Sequence, residues 1–135
     1  MTRTAIALAA ALATLALPAA AQSVNEVRRA NGLAPLERID KLDRAAARQA
    51  AAMRKAGAIS HTGADGSSFS ARLRAVGCSG GAENVAMGDF GGEAGVVAGW
   101  MDSPPHRKNL LTQGLESYGI AQDGRYWALV LGRGC

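Results

Sequence analysis

Aromatic residues are scarce in this chain, which has two each of Trp, Tyr and Phe among 135 residues. With so few rings, and with basic residues dispersed rather than run together, there is no stacking platform for bases and nucleic-acid binding is disfavoured. Cysteine is confined to Cys78 and Cys135, which excludes a disulfide-dense miniature scaffold and a thiolate-rich metal cage. Histidine is confined to His61 and His106. The longest apolar run, Ala5 to Leu17, is broken only by Thr14 and spans 13 residues. That falls short of the about 20 needed to cross a bilayer. There is no internal repeat and no low-complexity tract beyond this run.

What is present begins with an export signal. Arg3 supplies the positive start and Ala5–Leu17 the apolar core. Small residues at Ala19 and Ala21 set cleavage after Ala21. A membrane anchor is the alternative, and the short core argues against it. Residues 22–135 then make one exported domain, secreted or periplasmic, with no membrane span, and expected to be a monomer. Losing Arg3 leaves 14 Lys and Arg against 11 Asp and Glu, a net charge of +3, which reads as an ordinary solvated surface. In an oxidising compartment Cys78 and Cys135 read first as a disulfide, with two free thiols as the alternative. The closed loop of 57 residue steps is worth on the order of 4 kcal/mol in the chain-entropy account.

Hydrophobic spacing places the elements. Ser23 caps a short helix ending at Gly32, with Val24 and Val27 inward and Glu26, Arg28 and Arg29 outward. Leu33–Leu36 is an apolar connection lying on the body. Asp40 caps a helix running to about Ala56, because Leu42, Ala46, Gln49, Met53 and Ala56 recur at helical intervals. Gly57 ends it. Ile59–Gly66 is a loop, and a third helix runs from Ser67 or Ser68 through Phe69, Leu73 and Val76. Cys78–Gly81 reads as a flexible turn, and Ala82–Gly88 as a buried strand. Glu93 to about Asp102 is a helix with Val96, Val97 and Trp100 inward; Ser103-Pro104-Pro105 stops it, and His106–Leu111 forms one further helical turn. Tyr118–Ala121 and Tyr126–Leu131 flank the turn signal Asp123-Gly124. The second run is apolar throughout, which marks a central strand covered on both faces. This order gives an α/β layered sandwich.

Three side chains stand out chemically. His61 and His106 each follow a helix in a rigid turn context, and Glu83 is an acid in an otherwise apolar segment that needs a partner if buried. Read singly, each is an ordinary hydrogen-bonding group.

Five segments in order carry a resemblance: NEVRRANGLAPL at 25–36, Ile59-Ser60-His61, Ala82–Ala86, GWMDSPPHRKNL at 99–110, and Tyr118-Gly119-Ile120 followed by Tyr126-Trp127. In these the chain resembles the CAP superfamily, named for cysteine-rich secretory proteins, antigen-five allergens and pathogenesis-related proteins, in its minimal bacterial (SCP-like) form. The resemblance implies a three-layer α-β-α sandwich with a small, mainly antiparallel central sheet. It also implies a cleft where His61, His106 and Glu83 converge, lined by Asn84, Trp100 and Ser103. Ser103 stands where eukaryotic members place a second glutamate, and Pro105 where the bacterial pattern has glycine. The cysteine-rich module of animal members is absent, so toxin-like channel functions are unsupported.

Two neutral imidazoles suit a divalent metal, Zn²⁺ best, with water or Glu83 filling further positions. The leading expectation is an exported binding module for an extracytoplasmic ligand or protein. An alternative is a metal-assisted hydrolase acting on peptide or cell-wall material, with Glu83 as its catalytic general base; no G-x-S-x-G nucleophile motif is present. A third reading makes His61, Glu83 and His106 a buried structural network.

Overall fold

A computed structural model of the chain describes residues 23–135; the export signal read at 1–21 lies outside the described residues. The elements are α1 (Val24–Ala30), β1 (Glu37–Arg38), α2 (Asp40–Ala56), α3 (Phe69–Ala75), β2 (Gly80–Met87), α4 (Glu93–Met101), α5 (Pro104–Leu110), β3 (Ser117–Asp123) and β4 (Tyr126–Arg133). The sheet order is β1-β3-β4-β2. β2, β4 and β3 are antiparallel, while β1 joins β3 in parallel through Glu37↔Ser117 and Arg38↔Tyr118. One side of the sheet packs on α2 and α3 and the other on α1, α4 and α5, each with its own apolar cluster. This is the expected α-β-α sandwich.

Local chemistry explains the boundaries. At α1 the Glu26 N–H donates to Ser23 Oγ and the Ser23 N–H donates to Glu26 Oε2, both at 3.2 Å, a reciprocal cap. α2 ends where Gly57 takes φ +69° and its N–H reaches back to the Arg54 carbonyl, a left-handed close that side-chain-bearing residues avoid. The alanines of α2 allow close approach to the sheet: a Cβ on Gly119 of β3 would lie 2.1 Å from the Leu42 carbonyl carbon and the Asp43 nitrogen. Asp43 Oδ1 also accepts from the Ile120 N–H at 3.0 Å, pinning helix to strand. The β3–β4 hairpin turns through Gly124 and Arg125, between paired Asp123 and Tyr126. Cys78 and Cys135 are joined, tying the start of β2 to the end of β4.

Several sequence expectations are corrected. Arg28 is 2% exposed rather than outward: its Nε donates to Ala34 O, and its Nη1 to Leu110 O and Thr112 O, each at 2.9 Å. The guanidinium thus satisfies carbonyls at the end of α5 that the helix itself leaves free. Asp40 is the first residue inside α2, and Ile39 holds the cap position with no side-chain bond. Ala56, in the last turn, is exposed. Gly80 and Gly81 belong to β2, paired with Arg133 and Gly132, not to a flexible turn. The prolines after α4 start a helix as well as stopping one: Pro104 and Pro105 are the first two residues of α5, where their missing N–H groups cost nothing.

Candidate functional site

β2 is an edge strand, and the chemistry gathers along it. Side chains alternate on a strand, so Glu83 and Val85 face α2 and α3 while Ala82, Asn84 and Ala86 face α4 and α5. The Glu83 side chain is 1% exposed. Its carboxylate meets His61 Nδ1 at 2.9 Å, and accepts from Arg72 at 3.0 Å on Oε2 and 3.2 Å on Oε1. Arg72 also donates to the His61 carbonyl at 2.7 Å. A buried carboxylate is tolerable only with such compensation, and here one guanidinium holds both the acid and the backbone of the histidine loop. The His61 side chain is 58% exposed. Because a carboxylate only accepts, His61 Nδ1 is the donor in this bond.

On the other face of β2, Asn84 is fully buried. Its amide donates to the His106 carbonyl at 3.1 Å and its Oδ1 accepts from Asn109 at 2.8 Å. Trp100 Nε1 donates to Val85 O at 3.2 Å, so α4 and α5 are fastened to the free edge of β2. His106 is the third residue of α5, in the further helical turn that the sequence predicts. Burial first, then the neighbouring charge of His61, push its pKa below the ordinary histidine value. It opens onto a cleft of about 270 Å³ walled by Ile59, Ala86, Phe90, Val96, Trp100 and Ser103. Ile59 precedes His61 by two residues and is 55% exposed, so the two histidine-bearing segments border one opening. Asn84 backs His106 rather than lining this cleft.

The sequence profile of CAP, the cysteine-rich secretory protein family, matches residues 21–124, well over half of the chain. The chain belongs to the cysteine-rich secretory protein family. The fold of this CAP domain is similar to that of an extracellular SCP-domain protein from Bacillus anthracis (TM-score 0.75, 22% identity), covering 82% of this chain and 37% of that one. It is also similar to an outer surface protein of Borrelia burgdorferi (TM-score 0.72, 22% identity; 83% and 87% covered). A cysteine-rich secretory protein of Staphylococcus aureus gives a TM-score of 0.62 at 20% identity, covering 81% and 35%. The chain therefore spans little more than a third of the Bacillus and Staphylococcus proteins. No curated protein matches it.

Arg72 and Asn109 are the site residues of this CAP domain that sequence reasoning missed. For Arg72 a signal existed: Phe69, Arg72, Leu73 and Val76 fall at i, i+3, i+4 and i+7, so the arginine lies on the apolar stripe of α3 and calls for a buried acid. Among the described residues no three His, Cys, Asp or Glu side chains are grouped as a metal cage.

Proposed function

We propose that this CAP domain works outside the cytoplasm as a binding module. Its ligand sits in the apolar cleft beside His106, and a divalent cation, zinc by preference, is held by the imidazoles of His61 and His106. The export features at residues 1–21 and the Cys78–Cys135 bond support the compartment. Among the described residues no helix is long and apolar enough to cross a membrane.

The observation that carries the reading is the Glu83 bond to His61 Nδ1. A carboxylate behind a histidine fixes its tautomer and raises the basicity of the other nitrogen, the arrangement that recurs behind metal-ligating imidazoles. His106, held below its ordinary pKa, is neutral at pH 7, as a ligand must be. With two imidazoles as ligands, water completes the coordination shell and affinity is modest. Hydrolysis with Glu83 as general base is the weaker reading. Both its oxygens already accept hydrogen bonds from His61 and Arg72, so both are engaged before any water arrives.

Calorimetric titration with zinc at neutral pH tests the proposal. We expect saturable binding that weakens as pH falls through the histidine range, and its loss in both His61→Ala and His106→Ala. Absence of binding, or variants that bind as the parent does, would overturn it in favour of a structural network.

A further inference from the structure

A second pocket, of about 210 Å³, shares no residue with the cleft. It lies where α3 meets the beginning of β2 and the end of β4. Ser70 and Arg74 enter it from α3, Ser79 and Gly80 from the α3–β2 connection and the first residue of β2, and Arg133 from the end of β4. No acid lines it. Among the described residues neither the Arg74 nor the Arg133 guanidinium has a carboxylate partner or a hydrogen-bond acceptor, unlike Arg38, Arg54 and Arg72. Glu116, a nearby carboxylate, accepts from the Gly134 N–H and does not reach the pocket lining.

Arg133 is exposed, and its guanidinium lies over the backbone of Gly80. Its Nε would lie 2.9 Å from a Cβ added at Gly80, so the glycine leaves the space in which the guanidinium folds back over the strand. Ser79 Oγ donates to the Arg133 carbonyl at 3.2 Å, and the Cys78–Cys135 bond closes the same corner. The Ser70 hydroxyl is an additional donor. Two guanidinium groups that line one small pocket with no carboxylate among its lining residues repel each other until an anion joins them. Arginine forks match tetrahedral oxyanions in bidentate geometry.

We infer that this pocket binds a phosphate-type oxyanion, free or as an ester head group, independently of the histidine cleft. Residues 22–135 are titrated with inorganic phosphate at constant ionic strength, with chloride as the control, while backbone amide resonances are followed. Saturable shifts at Ser70, Ser79 and Gly80 are expected. Arg74→Gln and Arg133→Gln are each expected to weaken binding by roughly tenfold or more, while His61→Ala leaves it unchanged. Co-sedimentation with phosphatidylglycerol vesicles against phosphatidylcholine vesicles separates the sources: arginine-dependent binding to the former, with little response to free phosphate, assigns a lipid head group to the same pocket. Should Arg133→Gln unfold, Arg74→Gln decides, because Arg74 is an exposed residue of α3. Equal shifts with chloride, or binding unaltered in Arg74→Gln, would overturn the inference.

Discussion

Replacing Glu83 by glutamine keeps the side chain's size and removes its charge. The amide oxygen can still accept, but the amide nitrogen now faces either Arg72 or the Nδ1–H of His61, donor against donor. Arg72, 18% exposed on its side chain, loses its only carboxylate. Removing one partner of a buried ion pair costs about 3–5 kcal/mol. Arg72 keeps some water and its bond to the His61 carbonyl, so the lower end, about 3 kcal/mol, applies. With a urea m-value of about 1.5–2 kcal/mol per M, the unfolding midpoint should fall by about 1.5–2 M while the domain stays folded in water. The double variant Arg72→Met, Glu83→Gln leaves no unpaired charge, and should be more stable than Glu83→Gln alone. Tryptophan fluorescence from Trp100 and Trp127, both buried, reports the transition. A loss below about 1 kcal/mol for Glu83→Gln, or strict additivity in the double variant, would refute the pairing argument.

Arg28→Ala should cost about 3–5 kcal/mol by thermal or urea unfolding, since it strands three carbonyls and opens a cavity; Arg28→Met should recover part of the packing but not the bonds. Because His106 has a folded-state pKa below its unfolded value of about 6.5, the folded protein binds fewer protons there. Its contribution to stability is complete above about pH 6.5 and is lost as pH falls below that value. Urea titrations at pH 7.5 and pH 5 should show a smaller drop in His106→Gln than in the parent. Cys78→Ser should lower stability by on the order of 4 kcal/mol and loosen the β2 start and β4 end together, read by amide hydrogen exchange at Gly80 and Arg133.

α2 was legible because five inward positions recur at 4,3,4,3 spacing, and the run Trp127–Leu131 because a wholly apolar strand has to be central. β1 was not legible: two residues carry no periodicity, and their parallel partner in β3 lies some eighty positions away. The buried Arg28 and the half-buried Arg72 both occupied stripe positions, Arg28 after Val24 and Val27 and Arg72 after Phe69, yet polarity alone assigns such residues to solvent. Only the packed neighbours reveal the acceptors that make their burial tolerable. The two histidines and Glu83 were identifiable from residue type and from the family pattern.

Sequence alone thus determined the helices, the hairpin, the paired cysteines and the three suspect side chains, since each follows from local periodicity, turn chemistry or residue chemistry. Tertiary structure alone decided what Glu83 does. Strand alternation turns it toward α3, where Arg72 and His61 take both its oxygens, while the next residue, Asn84, turns the other way and ties β2 to the His106 carbonyl of α5.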